Sequence, residues 1–290
     1  MSIDVSVVVV TYNSRAVVGR CLDSLARHAS DQRYETIVID NASPDGTADF
    51  VASHYPWARL IRRRTNGGLS AAINDGVAAS VGTHIMQLNP DTRFEGDVLA
   101  PLARYLAEHA DVGVVAPKLL NDDGSLQLSC RAFPGYTTAL FNRYSLLTKV
   151  MPGNRYSRAY LMADFDHDGA RDVDWVSGAA LMFPRALCDR IGGWDAGFFM
   201  FNEDVDFCRR AHNAGARVVY NPDVAVYHSI GASQSASSRL VVARHRSMWR
   251  YYRKHLRGNA ARDTVTATGI AARCAFVLLS HQVRRLRTRG

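Results

Sequence analysis

A chain of 290 residues, 47% hydrophobic and 21% charged, carries enough apolar material for a packed core, which excludes an intrinsically disordered polypeptide. That length admits one large domain, or one domain with an appendage. A net charge of +8 and a sequence pI of about 9.4 favour an anionic partner (nucleic acid, a phosphorylated ligand or an anionic membrane surface) without choosing among them.

The segment "MSIDVSVVVVTYNS" places Asp4 before a short β-branched run, so Val5–Thr11 reads as a strand buried on both faces rather than a signal peptide. Ser14 is a candidate cap for a helix through His28, whose apolar face carries Val17, Val18, Cys21, Leu22 and Leu25. Thr36–Ile39 reads as a second strand ending at Asp40-Asn41, and "SPDG" marks a turn before a short helix through His54. Arg59–Arg62 is a third strand. "TNGGLSAAINDGVAAS" gives a Gly-rich turn and an Ala-rich helix, and His84–Leu88 is a fourth strand that breaks into Asn89-Pro90-Asp91. This alternation predicts an α/β fold with a mostly parallel sheet. Polar residues close three of its strands: Thr11-Tyr12-Asn13, Asp40-Asn41 and Asn89-Pro90-Asp91. Ligands of open α/β sheets bind at the carboxyl ends of strands, so the site is expected there.

In the second half, Val112–Ala116 and Leu126–Cys130 read as strands around the turn "NDDGS". Residues 134–172 read as a variable region of loops and short helices, a candidate substrate lid. From Ser238 onward the chain is helical and strongly basic, with Trp249, Tyr251 and Tyr252 among Arg and Lys and with Phe276–Leu279 and Val283 beside Arg284, Arg285, Arg287 and Arg289. Such a tail either lies on an anionic membrane surface or packs on the domain with a solvated basic face. No nucleic-acid module is visible, so no nucleic acid is expected. No 18-residue uncharged stretch occurs, so no membrane-spanning helix is expected. The five cysteines are scattered and form no C-x-x-C pair, which argues against a zinc site or disulfide framework and suits a reducing cytosol.

Several residue groups can carry chemistry. Asp40 and Asp91 each follow a buried strand, and if those strands are neighbours the two carboxylates repel unless a divalent cation such as Mg²⁺ or Mn²⁺ sits between them. Either residue alone more commonly caps the turn that follows it. "TNGGLSAAINDG" lacks the spacings of a dinucleotide fold or a P-loop. Gly67-Gly68 at a helix start either admits a ligand close to the backbone or marks a plain helix entry. "FNEDVDFCRR" holds Glu203, Asp204 and Asp206, some of which are expected to face solvent. A first-turn carboxylate is stabilised in its ionised form and can serve as general base, or it is simply an acidic helix start. His228 at a strand end is usually structural, and gains meaning only if Asp91 is close.

Taken in order, "VSVVVVTYNS", "IVIDNASPDGT", "NGGLSAAINDG", "LNPDT", "VDWVSGAALMFPR", "GGWDAGFFMFNEDVDFCRR" and "PDVAVYHSIGAS" resemble the inverting family 2 glycosyltransferases of the GT-A fold, and within them the rhamnosyltransferase-like branch. The resemblance runs from Val5 to about Ser233. It implies a Rossmann-like, mostly parallel sheet flanked by helices with a C-terminal helical appendage. Residues 1–235 would form the catalytic domain, split into a nucleotide-binding half (1–115) and an acceptor-binding half (116–235), with 236–290 as a basic helical region. By the same resemblance Thr11, Tyr12 and Asn13 line the nucleotide pocket, Asp40 bonds the base beside Asn41, and Asn66 with Gly67–Asn74 shapes the nucleotide-sugar pocket. Asn89-Pro90-Asp91 takes the place of a D-x-D motif. Asp91 and His228 would hold Mg²⁺ or Mn²⁺, Trp175, Ser177, Gly178 and Glu203 would face the acceptor, and Asp204 would be the catalytic base. Asn89 stands where the motif has its first Asp, which leaves more of the metal's coordination to the nucleotide's phosphates.

The implied activity is metal-dependent, inverting transfer of a sugar onto a glycan or lipid-linked glycan in cell-envelope polysaccharide synthesis. L-Rhamnose from dTDP-rhamnose is the expected donor, with UDP-galactofuranose or UDP-N-acetylhexosamine as alternatives. The implied location is the cytoplasm, peripheral to the membrane's cytoplasmic face. A nucleotidyltransferase would want glycines in the loop "TYNSRAV", which has none. A non-catalytic basic membrane- or nucleic-acid-binding module would not need Asp91, Asp204 and His228.

Overall fold

Residues 4–28, 33–136, 155–162, 164–229 and 237–287 are described by a computed structural model. The strands, in chain order, are β1 (Val5–Thr11), β2 (Tyr34–Asp40), β3 (Arg59–Arg62), β4 (His84–Leu88), β5 (Thr92–Arg93), β6 (Val112–Leu120), β7 (Leu126–Gln127), β8 (Cys130–Arg131), β9 (Arg171–Asp172), β10 (Trp175–Val176), β11 (Ala180–Pro184) and β12 (Arg217–His228). Among the described residues the main sheet runs β3-β2-β1-β4-β11-β6-β12-β5, with β7 on β6 and β9 on β12, while β8 and β10 form a separate pair. β3, β2, β1 and β4 are parallel, as are β6 and β12; β11 runs antiparallel between β4 and β6 and joins the two halves.

The β-branched run of β1 explains its central place. All seven of its residues are buried, and successive side chains point to opposite faces. Val5, Val7 and Val9 pack with Cys21, Leu22 and Leu25 of the helix Val18–His28 and with Leu99 and Leu102 of the helix Leu99–Glu108. Val8 and Val10 pack on the other face with Ala72, Ile73 and Val77 of the helix Leu69–Ala79. The first helix starts at Val18 rather than directly after Ser14, whose carbonyl accepts the Val17 and Val18 amides. β6 runs four residues beyond the expected Ala116, and the expected strand over Leu126–Cys130 divides into β7 and β8. Of the expected lid region 134–172, residues 137–154 and 163 lie outside the described residues; the rest includes the helix Arg155–Leu161 and β9.

The basic tail forms two helices, Ser238–His255 and Ala260–Arg287. The first is capped by the Ser237 side chain and packs on the helix Glu203–Asn213, with Tyr251 and Tyr252 buried. The fully buried Asp206 accepts from Arg210 Nε at 2.8 Å, Lys254 Nζ at 2.7 Å and His255 Nε2 at 2.7 Å. Burial alone would raise its pKa, but the His255 and Lys254 hydrogen bonds and the Arg210 charge outweigh it and hold the carboxyl below the usual range. The expectation that some of the three acids face solvent is thereby corrected, because Asp206 and Glu203 are buried and Asp204 is half-buried. The second helix leaves Val265, Phe276 and Leu279 exposed. Over Ala260–Ser280 it is long and apolar enough to cross a membrane by length and composition, which the charges Arg262, Asp263 and Arg273 had hidden from the sequence reading.

Asp206→Ala strands three basic side chains at a buried junction, and loss of one partner from such a cluster costs about 3–5 kcal/mol. Urea unfolding near neutral pH should show that loss. The gap should narrow in acid, because a carboxyl with a lowered folded pKa stabilises above its unfolded value and ceases to do so as pH falls through the folded one.

Candidate active site

The carboxyl ends of β1, β2 and β4 open into a cavity of about 1190 Å³. Tyr12, Asn13, Asn41, Asn66 and Asn89 line one side of it, and Ser177, Gly178, Glu203 and Asp204 also reach it. Asn41 organises its neighbours. Its Nδ2 donates to Asn66 Oδ1 at 2.9 Å and to the Gly68 carbonyl, and its Oδ1 accepts from Arg63 and from the Gly67 amide. Gly68 has φ +91°, and a Cβ there would lie 2.6 Å from the Phe199 carbonyl oxygen, so only glycine fits this turn. The Leu69 amide bonds that same carbonyl at 2.7 Å and ties the helix start to the loop before Asp204.

Asp204 sits in the first turn of Glu203–Asn213. Its Oδ2 accepts from the Gly178 amide at 3.0 Å and its Oδ1 from the Val205 amide at 2.8 Å. A Cβ on Gly178 would lie 3.4 Å from Asp204 Cβ, so the glycine lets the backbone approach the carboxylate. Burial raises the pKa of Asp204 despite these hydrogen bonds. Glu203 is buried at 7% exposure and its Oε2 has no hydrogen-bond partner. Burial, with the Asp204 charge beside it, pushes its pKa up to about 8. The pair therefore divides its work: Glu203 tends to hold a proton near neutrality, and Asp204 is the carboxylate fixed by amides.

β5 and β12 pair antiparallel with Thr92 opposite His228, which brings Asp91 Oδ1 to 3.4 Å from His228 Nε2. His228 Nδ1 lies 3.0 Å from Gln127 Oε1, and the Gln127 amide nitrogen donates to the His228 and Asn121 carbonyl oxygens, the latter being its side chain. Those bonds orient the amide, so Nδ1 carries a proton, and in the neutral ring Nε2 turns a lone pair toward Asp91. Two acceptors facing each other at 3.4 Å call for a proton or a cation between them. Two ligands bound to one cation at about 2.1 Å sit about 3.0–3.4 Å apart, so the carboxylate and imidazole fit a shared divalent metal. Among the described residues no third His, Cys, Asp or Glu completes a cluster.

Several expected site residues prove to be supports. Thr11 and Asp40 are buried beneath the lining, where Asp40 accepts from the Thr11 hydroxyl at 3.0 Å and the Ser43 amide at 2.9 Å. β1 lies between β2 and β4, so Asp40 does not share a cleft edge with Asp91 as neighbouring strands would require. Asn74 spends its amide on both backbone groups of Trp194, and Trp175 is buried with its indole N–H on the Ala132 carbonyl; neither lines the cavity. Gly68 and not Gly67 forms the lining there. Neither Asp91 nor His228 lines the cavity, although Asn89 and Pro90, which precede Asp91, do. Gln127 has no signal in the sequence, because a two-residue strand carries no pattern. Arg239 and Arg246 were not expected at the site, and their seven-residue spacing on a helix places them on one face of this same cavity.

The family model described as "Glycosyl transferase family 2" matches residues 6–162. The N-acetylglucosaminyl-diphospho-decaprenol L-rhamnosyltransferase of Mycobacterium tuberculosis is 28% identical over 279 residues, covering 88% of this chain and 90% of its own length. The mannosyltransferase PcManGT of Pyrobaculum calidifontis, solved with GDP-Man and Mn²⁺, superposes with a TM-score of 0.60 at 18% identity, over 99% of this chain and 81% of that one. GalNAc-T7, solved with UDP, GalNAc and Mn²⁺, gives a TM-score of 0.62 at 15% identity over 87% of this chain, which spans 48% of that longer chain. These two likenesses place the fold among GT-A glycosyltransferases.

Glu203→Gln tests the buried carboxyl. A carboxyl with a raised folded pKa stabilises below its unfolded value, and that contribution disappears as pH climbs toward the folded one. Thermal melts should therefore match wild type in acid and pull ahead of it as pH rises to about 8 and above.

Proposed function

We propose that this chain, which belongs to glycosyl transferase family 2, is an inverting, metal-dependent rhamnosyltransferase that moves L-rhamnose from dTDP-rhamnose onto a lipid-linked N-acetylglucosamine. The observation that carries this reading is that Asp204 and the Asn89-Pro90 turn line one cavity, while Asp91, next in the chain, lies 3.4 Å from His228. The mycobacterial relative, similar along nearly its whole length, supports the choice of sugar and acceptor.

In this reading Tyr12, Asn13, Asn41 and Asn66 bind the nucleotide, and Asp40 and Thr11 brace the Tyr12-Asn13 turn from below. A divalent cation held by Asp91 and His228 would supply charge neutralisation to the leaving diphosphate. Asp204 faces the acceptor. Two amides fix its oxygens and burial strengthens it as a base. The acceptor hydroxyl gives its proton to Asp204 as its oxygen bonds C1, while the bond from C1 to the diphosphate oxygen breaks. A single displacement from the opposite face inverts the anomeric centre. Glu203, kept protonated by its surroundings, donates a hydrogen bond to the acceptor. The work takes place in the cytoplasm, with the exposed apolar face of Ala260–Arg287 resting on the anionic membrane surface that holds the acceptor.

The test is a panel of dTDP-rhamnose, UDP-galactofuranose and UDP-N-acetylglucosamine, with and without Mn²⁺, scored for transfer and for product anomer. Inverted product from dTDP-rhamnose, dependent on the cation, is expected; transfer from a UDP-sugar alone would replace the donor assignment. Asp204→Asn should lower kcat by about 10²–10⁴-fold with donor affinity retained, the range of a lost general base. An unchanged kcat would remove Asp204 from that role.

A further inference from the structure

Beyond the residues assigned above to the donor and to catalysis, the cavity has a further wall. Ligand pockets usually run to about 300–1,000 Å³, and this one, at about 1190 Å³, has room for a second substrate. Its side opposite in character to the strand ends is made by the two C-terminal helices. Arg239, Val242, Ala243 and Arg246 reach it from Ser238–His255, and Leu278 and Gln282 from Ala260–Arg287. We infer that this wall is the binding site for the lipid diphosphate of the acceptor: Arg239 and Arg246 take the diphosphate, and Leu278 with the exposed Phe276 and Leu279 guides the apolar chain toward the membrane. The inference rests on the reading of the chain as a transferase to a lipid-linked sugar, and deepens it.

Charge supports the assignment. Three other cations of the same helix are committed: Arg244 stacks over Phe201 at 4.3 Å, and Arg250 and Lys254 pair with Asp195 at 2.6 and 2.7 Å. No salt bridge among the described residues engages Arg239 or Arg246, and both are exposed. Seven residues apart, they stand about 10.5 Å from each other along the helix, within reach of one diphosphate and its two ester linkages. Guanidinium groups suit phosphate oxygens through paired N–H donors. The same cavity holds the Asp204 carboxylate, so a free cationic pair nearby also offsets its charge toward an anionic substrate.

Shape and polarity complete the argument. Val242 and Ala243 lie between the arginines in the lining, and Leu278 continues the apolar surface onto the last helix. From there Phe276 and Leu279, 70% and 61% exposed, face outward on a segment apolar and long enough to enter a bilayer. A nucleotide sugar has no use for such a surface, and neither has a soluble glycan. An amphiphile with a diphosphate head and a hydrocarbon tail matches both parts at once.

The experiment compares wild type with Arg239→Gln/Arg246→Gln and with Leu278→Asn. Two acceptors are used: N-acetylglucosamine linked through diphosphate to farnesol, and an octyl glycoside of N-acetylglucosamine lacking the diphosphate. The double variant should raise KM for the diphosphate acceptor at least tenfold and leave the octyl glycoside within about twofold, so that the preference between them collapses. Leu278→Asn should weaken both lipid acceptors. Calorimetric titration with farnesyl diphosphate, in saturating dTDP to fill the donor site, should show the same tenfold loss; an unchanged dTDP affinity certifies that the variants fold. An unchanged farnesyl diphosphate affinity overturns the inference, even if wild type transfers rhamnose as proposed. Conversely, absence of rhamnosyl transfer by wild type sinks the functional reading while the titration still decides the lipid diphosphate site. Sedimentation with phosphatidylglycerol vesicles closes the remaining option: variants that lose vesicle binding but keep farnesyl diphosphate affinity assign the arginines to the membrane surface and overturn the inference.

Discussion

The active cavity depends on a buried anion, Asp206. Its carboxylate is fully enclosed and shared by Arg210, Lys254 and His255, one from its own helix and two from Ser238–His255. Positions two apart on an α-helix point about 200° from each other. Fixing Asp206 toward the C-terminal helix therefore turns Asp204 the other way, to the cavity. The same helix holds the preceding loop through Ser247 on the Met200 carbonyl and Arg244 on the Phe201 ring. Phe201 and Asn202 there take left-handed backbone conformations, φ 69° and 63°, which packing on both sides must maintain. The C-terminal helices thus also form one wall of the cavity.

Three carboxylates in one helical turn meet three different fates. Glu203 is buried with an unpartnered oxygen and favours its proton. Asp204 is held by two amides and reaches the cavity. Asp206 is surrounded by cations and stays ionised. Environment, not residue type, separates the protonated carboxyl, the amide-held carboxylate and the anchor. A similar division occurs at the strand ends. Asp40 braces the floor through Thr11 and Ser43, while Asp91 meets His228 only because β5 folds back onto β12.

The cavity draws on the chain's basic residues on one side only. Its strand-end side is built from neutral amides and an exposed Tyr12. Its helical side supplies free guanidinium groups beside apolar residues that lead outward.

The sequence by itself determined the elements and the strand-end location of the chemistry. β-Branched runs and polar breaks are local signals, and they gave β1, β3 and β4 almost to the residue and marked Asn89-Pro90-Asp91 as a strand tip. The order of seven short motifs was enough to identify the family, because each motif reports a local turn or helix start. Only the tertiary structure decided which polar groups share a space. The pairing of Asp91 with His228 depends on the register that sets Thr92 opposite His228, 136 residues away in the chain, and Gln127 enters through a two-residue strand without any pattern. Asn74 and Trp175 carried the right motif yet turned inward, since backbone groups of Trp194 and Ala132 needed their donors. Arg239 and Arg246 looked like ordinary members of a basic tail until a helix packed them against the cavity. Burial and proximity are properties of pairs, and a linear sequence encodes them only through the fold.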